Sequence, residues 1–287
     1  MNEFKSPYKQ LKRKVNTWCK YTKRLDTYGC GCQHDCKYCY AKSLLSFRGF
    51  WNNEPKEANL YKIKSSIKRL FPGSIVRMGS MTDCFQPIER KEMITYKTIL
   101  ILNQFRIHYL IVTKNSLVSD DRYIKIYDKK LAHFQITITS THPVEYEKAS
   151  TPDERIETIE KLHELGFDVS VRLSPFIEQN IDFSILNSIQ CNKILIEFLK
   201  VSPFIRKSFD IDYSEYTLKY GGYNHLELHR KIDLVNKVTG FSQVSVGEYV
   251  QDHHVYFRDN VNYNKADCCN LNEIIFETHK QLKLFTW

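Results

Sequence analysis

The stretch Cys32-Gln33-His34-Asp35-Cys36-Lys37-Tyr38-Cys39-Tyr40 decides how the rest of this chain is interpreted. It places three cysteines in a C-x3-C-x2-C spacing, one thiolate fewer than an iron–sulfur cubane normally has. Three closely spaced cysteines, with an aromatic residue before the last one, therefore favour a [4Fe-4S] cluster whose fourth iron stays open for a small molecule.

Two other metal sites compete with this interpretation. A structural zinc site usually takes four ligands from two C-x2-C pairs, and the adjacent Cys268 and Cys269 make a poor second pair. A closed electron-transfer cluster needs a fourth thiolate, for which Cys30, two residues before Cys32, is the nearest candidate. Both alternatives rank below the open cluster.

The composition predicts one principal domain. The chain has 287 residues, of which 42% are hydrophobic and 26% charged, enough for one large core. Nine cysteines are too few for a disulfide scaffold, and the clustering of four of them in residues 30–39 suits metal binding in a reducing cytoplasm. The N-terminus carries no signal peptide, and no apolar stretch approaches the ~20 residues of a membrane helix. We therefore expect a cytoplasmic protein with no membrane partner.

The formal net charge of +9 is densest near the N-terminus. We interpret residues 1–24 as a basic arm in which cations alternate with aromatic residues. Such an arm fits a phosphate-bearing partner, because cations neutralise phosphates and rings stack on bases; a solvated arm without a partner is the alternative. The basic residues are Lys9, Lys12, Arg13, Lys14, Lys20, Lys23 and Arg24, and the aromatic ones are Tyr8, Trp18 and Tyr21.

From about residue 74, short β-rich runs alternate with longer amphipathic stretches, which is the pattern of β/α units around a parallel sheet. With a first strand near Leu25–Tyr28, about six units result, fewer than the eight of a full barrel. We predict an α/β fold: a partial (β/α)6 TIM-type barrel over residues 25–200, with residues 201–287 as a C-terminal extension packed on it. The other predicted strands are Ile75–Gly79, Ile107–Thr113, Phe134–Ser140, Val169–Leu173 and Lys193–Phe198, and the predicted helices lie near residues 88–104, 119–130, 152–165 and 180–190.

Three motifs follow one another at the predicted strand ends. The first resembles the signature of the radical S-adenosylmethionine superfamily. Together the three resemble its spore photoproduct lyase-like group, often labelled DNA repair photolyases. The resemblance extends to about residue 200, and more loosely to Asp267–Asn270. The motifs are Gly31-Cys32-Gln33-His34-Asp35-Cys36-Lys37-Tyr38-Cys39-Tyr40-Ala41, Thr82-Asp83-Cys84-Phe85-Gln86-Pro87-Ile88-Glu89 and Thr113-Lys114-Asn115.

The resemblance implies a [4Fe-4S] cluster on Cys32, Cys36 and Cys39 that binds S-adenosyl-L-methionine (SAM). Reduction of SAM by one electron gives methionine and a 5′-deoxyadenosyl radical, which abstracts hydrogen from a substrate. The electron comes from a reducing partner such as flavodoxin or ferredoxin. The barrel places the substrate and excludes water.

The resemblance also implies which other residues meet the cofactor. Two tyrosines match residues that line the cofactor pocket. A group of three residues that follows the second strand matches the place where the superfamily approaches the methionyl amine. Two residues at later strand ends match contacts to the cofactor carboxylate. The residue types suit these contacts, because a lysine gives a carboxylate a charge-assisted hydrogen bond and an aspartate accepts one from an ammonium. The alternatives are packing, turn and surface roles. The matched residues are Tyr38 and Tyr40, then Ser80, Thr82 and Asp83, then Lys114 and Ser140.

Arg172 and Cys84 stand out for different reasons. Arg172 interrupts an apolar strand and needs an anionic partner, which is a cofactor carboxylate, a substrate phosphate or, in a structural pair, Glu197. Cys84 stands where relatives commonly carry proline, and spore photoproduct lyases use a cysteine in this vicinity to return a hydrogen atom to the product radical. Cys84 is therefore a candidate catalytic residue, and Tyr40, which follows the last cysteine of the triplet, is the other. For Cys84 the alternative is a small buried hydrophobic side chain.

The expected function is a radical SAM enzyme that acts on a nucleic-acid base or nucleotide, in repair or in deliberate modification. A DNA substrate would present its target base out of the stack. One rival is a radical SAM enzyme for a peptide or small metabolite, and another is a non-enzymatic metal-bearing DNA-binding module. Nucleic-acid binding weakens steeply with salt, whereas the first rival predicts no such dependence and the second no turnover of the cofactor.

Overall fold

The computed structural model describes residues 8–10, 21 and 23–271. Most of the predicted basic arm, including the cations Lys12, Arg13, Lys14 and Lys20, lies outside the described residues. None of the helices within the described ranges combines the length and the apolar character that a membrane span requires.

The described chain alternates strands and helices from the cysteine loop onward. The strands are β1 (Tyr8–Gln10), β2 (Lys23–Leu25), β3 (Tyr28–Gly29), β4 (Lys56–Glu57), β5 (Ile75–Met78), β6 (His108–Thr113), β7 (Ala132–Ile138), β8 (Asp168–Phe176), β9 (Lys193–Phe198), β10 (Leu218–Tyr220), β11 (Tyr223–His225) and β12 (Gln243–Val246). The helices are α1 (Tyr40–Phe47), α2 (Leu60–Ile67), α3 (Glu89–Glu92), α4 (Ile94–Gln104), α5 (Asp121–Ile124), α6 (Pro152–Glu164), α7 (Phe183–Ser188), α8 (Pro203–Ser208), α9 (Leu228–Asn236) and α10 (Gln251–Asn260).

One sheet organises the fold, with strands in the order β1-β2-β5-β6-β7-β8-β9-β12. β1 runs antiparallel to β2, and the other neighbouring pairs are parallel. The predicted partial TIM-type barrel is therefore confirmed. All six predicted strands are present, and the first lies slightly earlier than predicted, at Lys23–Leu25.

β12 is a seventh parallel strand that the sequence did not predict. It pairs with β9 in a register that sets Gln243 opposite Lys193. The strand has only four residues, and its polar Gln243 and Ser245 alternate with two valines, so the apolar signal is weak. The division of the chain at residues 24 and 200 stays a prediction, and β12 shows that the segment after residue 200 contributes to the sheet itself.

The sheet has one apolar face and one more polar face. Along β7, Phe134, Ile136 and Ile138 belong to the main core, together with residues of the surrounding helices. The alternate residues Gln135 and Thr137 point to the opposite side and are also buried. The interior of the barrel therefore holds polar side chains away from bulk water.

The predicted helices are present, but three of them are shorter or divided. The range 88–104 forms α3 and α4, separated at Met93, which has a φ of +54°. The ranges 119–130 and 180–190 are reduced to α5 and α7. α6 begins as the sequence Thr151-Pro152-Asp153-Glu154 predicts, with Pro152 in the first turn and a capping box between Thr151 and Glu154.

Replacing Thr151 with alanine should destabilise the fold by about 1 kcal/mol, because the N-cap hydroxyl accepts the Glu154 N–H at the start of α6. Urea-induced unfolding measures the change. Thr239, an exposed loop residue, provides the control: Thr239→Ala should alter the free energy of unfolding by less than about 0.5 kcal/mol. Equal stability of the Thr151 variant and the unmodified chain would contradict a stabilising capping box.

Candidate cluster and cofactor site

The cysteine loop, residues 30–39, lies between β3 and α1. The Gln33 N–H donates to the side-chain oxygen of Gln86 at 2.9 Å, and the Gln33 amide oxygen accepts from the Ile88 N–H at 2.6 Å. These bonds fasten the loop to the residues that follow β5. The three cysteines are thereby held at the carboxyl ends of the parallel strands, which is the catalytic end of a barrel.

The three thiols of this loop are near one another and largely removed from water. Burial raises the pKa of Cys32 to about 12, and the nearby carboxylate of Asp83 contributes to the rise. Burial likewise raises the pKa of Cys36, to which both other thiols add, and the pKa of Cys39. In donor type and proximity the residues fit an iron–sulfur cluster, because soft sulfur ligands suit such clusters and the bound metal displaces their protons.

The thiols are adjacent but not preassembled. Within residues 21 and 23–271, no group of three or more His, Cys, Asp and Glu side chains is already arranged to hold a metal ion. Cys39 caps α1, and its Sγ accepts from the Lys42 N–H at 3.4 Å. The Cys36 Sγ lies 3.7 Å from Oε2 of Glu147. Neither contact occupies the sulfur atoms fully, so both thiols keep capacity to bind iron.

Glu147 is a buried carboxylate beside the cluster loop that the sequence analysis missed. It accepts hydrogen bonds from the hydroxyl of Tyr38, from the guanidinium of Arg155 and, at 2.7 Å, from the hydroxyl of Thr139. Burial acts to raise its pKa, but the charges of Arg155 and Lys114 outweigh burial and hold the pKa at about 2. An ionised carboxylate therefore fixes Tyr38, the aromatic residue of the cysteine motif.

The sequence indicates this network through Arg155 in α6 and not through Glu147 itself. Arg155 occupies the same stripe of the helix as the buried Ile159 and Leu162, because residues four and seven positions apart share a face. An arginine on an apolar stripe requires a buried anion. The sequence does not say which carboxylate supplies it, since Glu145 and Glu147 are equally plausible by position.

Asp83 connects the cysteine loop to the end of β6. One carboxylate oxygen accepts from the Thr113 hydroxyl at 2.7 Å and the Phe85 N–H at 2.8 Å. The other accepts from the Lys114 N–H at 2.8 Å and lies 3.2 Å from Nε2 of His34. Burial acts to raise the pKa of Asp83, but His34 and the backbone donors lower it on balance. The predicted contact of Asp83 with the methionyl ammonium stays a prediction beside these four protein contacts.

Lys114 is directed toward the cysteine loop. Its Nζ lies 5.6 Å from the centre of the Tyr38 ring and donates to the Ser174 carbonyl at 3.4 Å. Burial lowers the pKa of Lys114, while Glu147 and Cys36 oppose that effect. The half-buried ammonium of Lys114 therefore lies near Cys36, a predicted cluster ligand. It is placed to pair with an anionic group of a bound cofactor.

Ser80, Thr82 and Tyr40 meet after β5, where the backbone makes a close approach. Gly79 has a φ of +76°, and a Cβ at this position would lie 2.1 Å from the Val112 carbonyl oxygen. The Ser80 carbonyl accepts from the Tyr40 hydroxyl at 2.9 Å, and the Thr82 hydroxyl donates to the Tyr28 carbonyl at 2.6 Å. Tyr40 and Ser80 thus meet beside the first turn of α1, and Thr82 lies against β3; the cofactor contacts of all three stay predictions.

Ser140 and Arg172 both have partners within the protein. The Ser140 hydroxyl donates to the His142 carbonyl at 2.7 Å and lies 3.1 Å from the Asn180 carbonyl. Arg172 pairs with Glu197 and also donates to Oε1 of Gln135 at 2.6 Å. These are the turn and structural pair that the sequence analysis named as alternatives, and contact with the cofactor stays a prediction for both residues.

Cys84 lies in the main core between the sheet and the helices. It is fully buried, and its carbonyl accepts from the Thr95 hydroxyl at 2.6 Å. This position favours the packing role over the hydrogen-donor role, which stays untested.

Cys30 and Cys269, two further described cysteines, have structural surroundings of their own. Cys30 adopts a left-handed conformation, with a φ of +63°, and its carbonyl accepts from the Asn52 N–H at 2.9 Å. Cys269 belongs to a small core cluster with Tyr21, Ile75, Leu110, Val112, Leu195 and Leu271, against which Cys268 packs.

Residues 27–183, just over half of the chain, match the family model of the radical SAM superfamily. An uncharacterized protein of Methanocaldococcus jannaschii is 27% identical over 162 residues, or 53% of this chain and 60% of that protein. The match therefore spans about three fifths of the length of that curated relative.

Solved structures of spore photoproduct lyase have the same fold. A tyrosine-to-phenylalanine variant of it has a TM-score of 0.60 and 16% sequence identity, over 83% of this chain and 81% of that one. A variant with bound AdoMet and dinucleoside spore photoproduct has a TM-score of 0.58 and 16% identity, over 82% of this chain and 79% of that one. This likeness shows a shared fold, and the family match shows that the chain belongs to the radical S-adenosylmethionine superfamily and is an enzyme of that type.

Proposed function

We propose that Cys32, Cys36 and Cys39 hold a [4Fe-4S] cluster, that the cluster binds SAM, and that the enzyme acts on a nucleic-acid base or nucleotide. The observation that carries the first part is the group of three neighbouring thiols at the carboxyl end of the sheet, of which Cys36 is buried and Cys32 and Cys39 are partly buried. When bound there, the cluster would supply one electron for the reductive cleavage of SAM, the chemistry that generates a radical able to abstract hydrogen from a substrate.

The surrounding residues hold and orient the cofactor in this proposal. Lys114 would donate to the carboxylate of SAM, because its Nζ lies near Tyr38, Glu147 and Cys36. Tyr38 is locked by Glu147 and forms one wall of the pocket. Asp83 fixes the loop and the Lys114 backbone through its four contacts. The further cofactor contacts that we propose are those of Tyr40, Ser80, Thr82, Asp83, Ser140 and Arg172.

Replacing Lys114 with methionine should weaken SAM binding by about 10- to 100-fold, the range expected when a hydrogen bond to a charged group is lost. Methionine keeps the apolar stem and removes the charge. Equilibrium dialysis of the cluster-loaded protein with labelled SAM measures the change. The control is Lys130→Met, because Lys130 is exposed and its position in the sequence is remote from the cysteine loop. Unchanged SAM affinity in the Lys114 variant would remove Lys114 from the proposed pocket.

Three observations support a nucleic-acid or nucleotide substrate. The net charge is +9 and the predicted basic arm is rich in aromatic residues. A structurally similar spore photoproduct lyase is complexed with a dinucleoside spore photoproduct. Polar side chains such as Gln135 and Thr137 face the interior of the barrel, and enzymes that act on a flipped base read it through hydrogen bonds. Membership of an enzyme family disfavours the non-enzymatic binding module, and a peptide or metabolite substrate remains the second candidate.

The substrate proposal is tested by adding oligonucleotides to the reduced, cluster-loaded enzyme with SAM. We expect nucleic acid to increase the rate of 5′-deoxyadenosine formation, and the retention of DNA to fall steeply between 50 and 200 mM salt, by about 10³-fold or more if six phosphates or more are contacted. Neither stimulation nor salt-sensitive retention is expected for an enzyme acting on a peptide or metabolite, and that pair of results would overturn the substrate proposal.

A further inference from the structure

Helix α1 carries an apolar stripe that faces solvent. Tyr40, Leu44 and Phe47 lie four and three residues apart, so they share one face of the helix, and they are 54%, 37% and 91% exposed. Phe50 follows the helix and is 48% exposed. Contiguous exposed apolar patches are uncommon on proteins that act alone and mark interaction surfaces. We call these four residues the α1 stripe.

The stripe begins beside a predicted cluster ligand. Cys39 is the N-cap of α1, and its Sγ accepts from the Lys42 N–H in the first turn. The Tyr40 hydroxyl donates to the Ser80 carbonyl at the end of β5, so the stripe starts at the barrel and runs away from it. Eight helical residues span about 12 Å. The whole stripe therefore lies within a short distance of the cluster loop, and the helix buries a different residue, Ala41, toward the protein.

Basic residues outnumber acidic ones in the sequence around the stripe. Residues 37–50 include Lys37, Lys42 and Arg48 and contain no aspartate or glutamate. The acid of the preceding loop, Asp35, is paired with Lys42 at 2.7 Å and Lys148 at 3.7 Å. The stripe therefore has an apolar centre and a basic rim. This arrangement is typical of interfaces that recruit an acidic protein by electrostatic steering.

We infer that the α1 stripe is the docking surface for an acidic one-electron carrier protein of the flavin or iron–sulfur type. The inference rests on the proposed cluster, which needs an external electron for each cleavage of SAM. The carrier loses one electron and the cluster gains it, with no bond made and no proton moved. Electron-transfer encounters are small and transient, so four apolar side chains with a basic rim suffice for such a contact.

The test compares two sources of electrons in the cluster-loaded enzyme. The variant Phe47→Ser with Arg48→Glu removes the apolar centre and reverses one rim charge without touching a residue of the proposed cofactor pocket. We expect SAM cleavage driven by reduced flavodoxin or ferredoxin to fall at least tenfold, whereas cleavage driven by dithionite stays within twofold. Phe71→Ser is the matched control, because Phe71 is exposed but precedes β5, at the opposite end of the strands from the cluster. It should leave both rates unchanged.

Direct binding provides a readout that does not depend on turnover. Calorimetric titration with the same carrier should show weaker binding to the double variant, and binding to the unmodified enzyme should weaken as salt rises. Carrier binding and carrier-driven cleavage equal to those of the unmodified enzyme would overturn the inference. A loss of oligonucleotide binding alone would also overturn it, because the stripe would then be a nucleic-acid surface. A large loss of thermal stability would overturn it as well, because it would mean that the chain itself covers the stripe. Failure of dithionite-driven cleavage in the unmodified enzyme would instead contradict the proposed function, and the titration would still test the docking surface.

Discussion

Replacing Glu147 with alanine is expected to lower the free energy of unfolding by about 3–5 kcal/mol, as when one partner of a buried ion pair is removed. Both side chains of the pair with Arg155 are almost fully buried. The variant leaves the Arg155 guanidinium without its counter-charge and the Tyr38 hydroxyl without its acceptor. The loop residues around Cys36 should become more mobile, so SAM cleavage should fall as well. Urea-induced unfolding followed by circular dichroism measures the stability change.

Two variants separate the lost ion pair from a general effect of mutation. Glu157 lies on the exposed face of α6, and Glu157→Ala should change the free energy of unfolding by less than about 0.5 kcal/mol. The double variant Glu147→Leu with Arg155→Met should recover much of the lost stability, because replacing both partners leaves no buried charge. A Glu147→Ala protein as stable as the unmodified chain would show that the buried pair does not form.

Replacing Asp83 with alanine should cost at least ~2 kcal/mol, because it strands several buried donors at once. The Thr113 hydroxyl, the Phe85 N–H and the Lys114 N–H would all lose their acceptor, and His34 would lose its contact with the carboxylate. The cysteine loop would then no longer be tied to the end of β6. We therefore expect SAM cleavage to fall by more than the loss of folded protein explains.

The control for Asp83 is Asp233→Ala, at an exposed position on α9, which should alter neither stability nor cleavage. Asp83→Asn gives a finer comparison, since the amide keeps one acceptor oxygen and should retain part of the stability while still reducing cleavage. If Asp83→Ala cleaved SAM at the normal rate per folded molecule, Asp83 would not position the loop.

Local sequence features predicted the parts of the fold that depend on neighbouring residues. Predicted strands such as β6 and β7 are β-rich runs buried on both faces, and the cap of α6 lies within Thr151–Glu154; both are set by residues close in sequence. β12 was missed because four half-polar residues form a strand only when β9 offers them an edge. Pairings of this kind depend on distant contacts that no local pattern contains.

The candidate site was likewise predictable where its residues form local motifs, and not where distant residues meet. The cysteine triplet and the strand-end Lys114 are visible in the sequence and meet in the structure. Glu147 reaches Tyr38 from 109 residues away, and Asp83 reaches Lys114 from 31, so only the fold could join them. For Arg172, the sequence correctly required an anion and named Glu197 among the possible partners, but spacing alone could not choose between a protein carboxylate and a ligand.

The most direct test of the account is the cleavage of SAM by the cysteine triplet. The protein is reconstituted anaerobically with iron and sulfide, mixed with dithionite and SAM, and assayed for 5′-deoxyadenosine by chromatography. Cys36→Ala removes one proposed ligand, and Cys268→Ala, outside the loop, serves as the matched control. We predict that 5′-deoxyadenosine forms with the unmodified and Cys268→Ala proteins and is absent with Cys36→Ala. Absence of the product from the unmodified, cluster-loaded protein, or equal formation by Cys36→Ala, would contradict the account.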